Sequence, residues 1–73
     1  MKAAILIFES VHKVLKAEQI LLKNQILHEI IPTPRDISSS CGISIRVNIA
    51  MVDVKAVHVL LQQNGIEGRI FTD

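Results

Sequence analysis

Between residues 3 and 72 the apolar residues of this chain alternate between strand spacing and helix spacing, and the order of those changes limits the fold more than any other feature. Ala3–Phe8 is a wholly apolar run rich in branched residues, the mark of a strand covered on both faces. Residues 10–25 switch to helical spacing. Val11, Val14, Leu15, Leu21 and Leu22 share one side, and His12, Lys13, Lys16, Gln19 and Lys23 share the other, with Ser10 as the natural N-cap. Ile26–Ile31 predicts a second strand, stopped by Pro32, which cannot donate to a ladder. Ile43–Ile49 alternates, with Ile43, Ile45, Val47 and Ile49 on one face and Ser44, Arg46 and Asn48 on the other. Asp53 is placed to cap a second helix whose stripe is Val54, Val57, Leu60 and Leu61 and whose end is Asn64-Gly65. Arg69–Thr72 makes a short last strand, and no repeat, linker or low-complexity segment interrupts the pattern.

Strand, helix, strand, strand, helix, strand is the split βαβ order, so the expected fold class is α+β: a ferredoxin-like βαββαβ two-layer sandwich. Its four-stranded antiparallel sheet carries both helices on one face, and its third strand lies between the first and the second. The first strand then ends, and the first helix begins, at the sheet end where the second strand turns into the third. Glu9, Ser10 and His12 are expected to face the 32–42 loop there across a short gap.

The chain has 73 residues and reads as one domain, 1–73. A domain this short buries only about 60% of its unfolded surface. A single cysteine provides no internal disulfide, so oligomerisation, with a homodimer as its simplest form, is expected. An unpaired thiol suits a reducing compartment. Eight basic and seven acidic residues leave a net charge of +1, with no Trp or Tyr and two Phe, so nucleic acid is not an expected partner. The opening "MKAAILIFES" starts like a signal peptide, but the apolar run ends at Phe8 and no small-residue cleavage pattern comes after it. Nothing approaches the roughly 20 apolar residues that span a bilayer. The expectation is a soluble, cytoplasmic protein with no membrane partner.

The one stretch unlike scaffolding is "IPTPRDISSSCG", residues 31–42. Pro32–Gly42 is eleven residues long, more than a minimal hairpin needs and within the size of a compact functional loop. Thr33 between Pro32 and Pro34 favours an extended, stiff start. Ser38, Ser39 and Ser40 supply hydroxyls and successive backbone N–H groups able to curl around an anion or a thiolate, and Gly42 permits a backbone angle that other residues resist. Arg35 lies six residues before Cys41 and Arg46 five after it; either would lower the thiol pKa by folding back. A free cysteine more often packs as a small hydrophobe. Serines and glycine around Cys41, where aliphatics would be expected for a buried thiol, favour a thiolate that carries or transfers something.

His12 is the candidate proton partner, against the plain alternative of a solvated residue on a first helical turn. His28 and His58 read as surface residues, and Glu18, inside the apolar stripe, reads either as a snorkelling edge residue or as a buried carboxylate paired with a lysine. No pair of histidines has metal-site spacing, so no metal site is expected. A glycine-rich phosphate loop is missing too, and no cofactor is expected.

"FESVHKVLKAEQILL" (8–22) followed by "IIPTPRDISSSCGISIR" (30–46) resembles the selenium/sulfur (Se/S) carrier protein-like family, with "PTPR…SSCG" as the specific element. The resemblance runs from about Ile5 to Arg46. It implies that Cys41 bears the chalcogen, in a loop with Pro32, Pro34, Arg35, Ser39, Ser40 and Gly42, and that Ser10 and His12 match the family's Ser/His segment after the first strand. Ser44 stands where a small residue such as Ala is usual, and Val11 where threonine is commoner.

The leading expectation is a sulfur or selenium carrier, more a transfer protein than an enzyme. Cys41 would accept sulfane sulfur or selenium from a donor enzyme such as a cysteine desulfurase and pass it to an acceptor protein. Backbone donors from Ser39, Ser40 and Gly42, charge from Arg35 and proton exchange at His12 would support it. The alternative is a non-catalytic ferredoxin-like interaction or regulatory domain that dimerises through its open sheet face, with the thiol incidental. A third reading is a redox sensor whose Cys41 pairs between chains.

Overall fold

A computed structural model of the chain describes residues 3–37 and 42–72. The elements run β1 (Ala3–Ile7), α1 (Val11–Lys23), β2 (Glu29–Pro32), β3 (Ile43–Asn48), α2 (Val54–Gln63) and β4 (Arg69–Thr72). The strands form one antiparallel sheet in the order β2-β3-β1-β4. This is the small α+β, ferredoxin-like arrangement that the sequence pattern predicts. Among the described residues no helix is long and apolar enough to cross a membrane.

Local chemistry sets the helix limits. The Ser10 hydroxyl accepts from the Lys13 N–H at 3.3 Å, and the Asp53 carboxylate accepts from the N–H groups of Lys55 (3.0 Å) and Ala56 (3.4 Å). Both helices end in the same closing turn. The Ile26 N–H donates to the Leu21 carbonyl and the Gln25 N–H to the Leu22 carbonyl, and the same two bonds run from Ile66 to Leu61 and from Gly65 to Gln62. That turn needs a left-handed residue after the cap, supplied by Gln25 (φ 58°) in the first half and Gly65 (φ 76°) in the second.

The core lies between the helices and one sheet face. Ala4, Leu6 and Phe8 from β1 and its exit meet Ile45 and Val47 from β3, under Val14, Ala17 and Leu21 of α1 and Val57 and Leu61 of α2. The register pairs Leu6 with Ile45 and Ala4 with Val47, so these side chains share a face. In the second helix Val57 and Leu61 of the expected stripe are buried, and Val54 and Leu60 are half-buried beside them. In α1 the buried line is Val14, Ala17 and Leu21, whereas Val11, Leu15 and Leu22, expected on the same stripe, are exposed. They project about a quarter turn from the buried line.

Two strand limits also differ from expectation. β2 begins at Glu29, because Ile26 is spent closing α1, and it includes Pro32, which pairs with Ile43. Pro32 is tolerated because its missing N–H lies on the outer side of an edge strand. β3 ends at Asn48, where the amides of Met51 and Val52 turn back onto the Asn48 carbonyl.

Candidate functional site

The site to be tested is the sheet end where β1 feeds α1 and β2 returns as β3. Pairing of Leu6 with Ile45 and of Pro32 with Ile43 puts the exit of β1 at the same end as the 33–42 loop. Glu9, Ser10 and His12 therefore share that end with the loop stem, as the topology predicts. His12 is exposed and makes no hydrogen bond or ion pair among the described residues. Ser10 is half-buried, its oxygen engaged in the helix cap.

The stem of the loop is held by short-range bonds. The Thr33 N–H donates to the Gly42 carbonyl at 3.1 Å, extending the β2–β3 ladder by one step. The Thr33 and Ser44 hydroxyls share a hydrogen bond, and Ser44 is fully buried on the sheet face away from the helices. That bond satisfies the Ser44 hydroxyl, since a buried serine without a partner would be costly. Beyond Pro34 the chain tightens into a turn in which the Ile37 N–H donates to the Pro34 carbonyl at 3.1 Å. Arg35 sits exposed within it, Pro34 is half-buried, and Pro32 and Gly42 are exposed. Ser38, Ser39, Ser40 and Cys41 lie outside the described residues.

Several readings change. Gly42 has no positive φ, and a Cβ there would meet open space, so its backbone freedom is not what the loop uses. Arg46 is committed elsewhere: it donates to the Glu29 carboxylate at 2.6 Å across the β2–β3 pair, which leaves Arg35 as the loop's own guanidinium. His28 is no surface residue, since its side chain is only 5% exposed. Its Nδ1 donates to the Ile26 carbonyl at 2.9 Å, and its Nε2 lies 3.4 Å from the Glu18 carboxylate. Glu18, 30% exposed, thus pairs with a histidine and not with a lysine. Nothing in a linear reading announces a contact ten residues apart between a helix flank and the start of a strand.

On the other side of β1, at the same end, an open depression of about 350 Å³ is lined by Phe8, Glu9, Lys13, Glu67, Gly68 and Arg69, among others. Lys13 donates to Glu9 at 2.9 Å. That hydrogen bond, with the attraction of the ammonium, holds the Glu9 carboxyl below its ordinary range. Gly68 is required by close approach: a Cβ there would lie 2.7 Å from the Phe8 ring and 3.1 Å from the Ile7 carbonyl oxygen.

A small ferredoxin-like sheet with a cysteine loop at the β2–β3 end defines a class of protein, and comparison narrows it. Residues 3–72 match the family described as "Putative Se/S carrier protein-like", and the chain belongs to that family. No curated protein and no solved structure matches it.

Proposed function

We propose that the protein is a sulfur or selenium carrier in which Cys41 holds the chalcogen as a persulfide or selenosulfide between a donor enzyme and an acceptor protein. The observation that carries this reading is membership of the Se/S carrier protein-like family over nearly the whole chain, with the "PTPR…SSCG" loop intact. In the sulfur step the Cys41 thiolate attacks the terminal sulfur of a donor persulfide. One S–S bond forms as another breaks, and the donor cysteine leaves as its thiolate, so no external oxidant or reductant is consumed. The selenium step is the same exchange from a donor perselenide.

The residues take complementary parts. Pro32, Pro34 and the Thr33 bonds stiffen the stem, Arg35 supplies positive charge, and the amides of Ser39, Ser40 and Gly42 hold the terminal anion. His12, exposed at the shared sheet end beside the Ser10 cap, exchanges the proton. Intact-mass analysis after incubation with a cysteine desulfurase and cysteine tests the proposal. The expected result is a gain of one sulfur that reductant removes and Cys41→Ser abolishes. No adduct on the wild-type chain with several donors, or an adduct that survives Cys41→Ser, contradicts it.

A further inference from the structure

The edge strand β2 leaves one row of backbone groups facing outward, and the ladder shows which row it is. In an antiparallel pair, residues alternate between bonding the neighbour and pointing away. Thr33 bonds Gly42, so Ile31 and Glu29 also turn their N–H and C=O groups toward β3, and Ile30 and Pro32 turn theirs outward. Proline has no N–H to leave unmet, and Ile30 presents a full donor and acceptor at the edge. Its side chain, on the helix side of the sheet, is 39% exposed.

The flank of α1 above this edge is also apolar. Val11, Leu15, Glu18 and Leu22 fall in one line along the helix, and the Glu18–His28 contact turns that line toward β2. Val11, Leu15 and Leu22 are 47%, 48% and 62% exposed. The molecule contains its own control. Forty residues on, the matching positions in and just before α2 are Met51, Lys55, His58 and Gln62, so the flank beside β4 carries polar groups where the flank beside β2 carries leucines.

We infer that the β2 edge and the α1 flank bind a second copy of this chain, the two β2 strands pairing antiparallel about a two-fold axis at Ile30. The occupant is set by register. Directly opposed residues must share a sheet face, so Ile30 opposite Ile30 of the copy sets Glu29 against Ile31 and His28 against Pro32. Ile30 then exchanges both bonds with its counterpart and the His28 N–H meets the Pro32 carbonyl; the one donor each strand lacks is that of Pro32, which leaves the His28 carbonyl to water. No like charges oppose each other, because Glu29 faces an isoleucine and is already neutralised by Arg46. The leucines of the two α1 flanks close over the paired Ile30 side chains. The contact is self-complementary, as a two-fold interface requires. It is independent of chalcogen loading and separate from the open sheet face.

The test is solution mass by analytical ultracentrifugation on the full chain. The expected wild-type mass is twice the 8.1 kDa of one chain. Ile30→Pro removes an outward N–H and the Ile30 side chain without taking a bond from β3, and Leu15→Glu changes only the flank; each is expected to give one-chain mass with an unchanged far-ultraviolet circular dichroism spectrum. Hydrogen exchange on the wild type needs no variant: protection of the Ile30 amide should rise with protein concentration. A wild type that stays at one-chain mass overturns the inference. So does a two-chain mass that persists in either folded variant, or an Ile30 amide that exchanges like an open edge amide while the mass is that of two chains.

Discussion

Residues 14–32 and 54–72 run through the same helix, turn and edge strand, forty positions apart. Val14 matches Val54, Leu21 matches Leu61, Asn24 matches Asn64, Ile26 matches Ile66 and Ile30 matches Ile70. Leu21 and Leu61 are both buried, and both helices close with the same pair of backbone bonds. The halves part company at the turn between helix and strand. The second half turns on Gly65, buries Ile66 and keeps Gly68 bare so that the Phe8 ring fits against it. The first half turns on Gln25 and puts His28 where Gly68 stands, tying the ring to Glu18 and the Ile26 carbonyl. The second half is built for close packing at its turn, and the first carries an apolar flank and leads into the cysteine loop. One architecture used twice has been fitted to two tasks.

The largest effect expected from disturbing this contrast is at Gly68. Gly68→Ala drives a Cβ into a buried ring and a backbone oxygen, and is expected to destabilise by about 1–3 kcal/mol in urea denaturation. A cost near zero would mean that the second turn is not packed as described.

Exchanging the turn residues is next. Gly65→Gln forces a side chain into the left-handed region and is expected to cost about 1 kcal/mol. The reverse change, Gln25→Gly, is expected to stabilise by about the same amount. The strain relieved in the folded chain and the freedom given to the unfolded chain enter the two exchanges with opposite sign. Shifts of the denaturation midpoint in the same direction would contradict left-handed strain at both turns.

The smallest effect is electrostatic. The head of α1 carries the Glu9–Lys13 pair, and the matching positions before α2 are Ile49 and Asp53. Because Glu9 is held below its ordinary range in the folded chain, its contribution is present above the unfolded carboxyl pKa. It is lost as pH falls through the lowered value. The stability difference between wild type and Glu9→Gln is therefore expected to be small at neutral pH and to vanish in acid. A difference that grows on acidification contradicts the pairing.

Element order, both N-caps, the α2 stripe and the topology are legible from spacing, because each rests on neighbours within a turn or a strand. The α1 stripe misleads for a physical reason. Leu15 and Leu22 are apolar yet lie on an outward flank, while the small Ala17, which lends a pattern little weight, is fully buried. The likeness of the halves is hidden because a shared fold constrains only buried and turn positions, leaving Leu15 opposite Lys55 and His28 opposite Gly68. At the site, the shared sheet end of Ser10, His12 and the loop comes from topology alone. The Thr33–Ser44 hydroxyl pair and the withdrawal of Arg46 to Glu29 depend on cross-strand register, which no local pattern specifies.

A reactive sulfur at Cys41 is central to the carrier proposal, and the rate of thiol modification measures that reactivity directly. Native protein and chain unfolded in denaturant are each treated with an aromatic disulfide at the same pH. The native thiol is predicted to react at least as fast as the unfolded one, since the carrier proposal has Arg35 and the loop amides favouring the thiolate. A native thiol that reacts only as fast as the chain unfolds would contradict it.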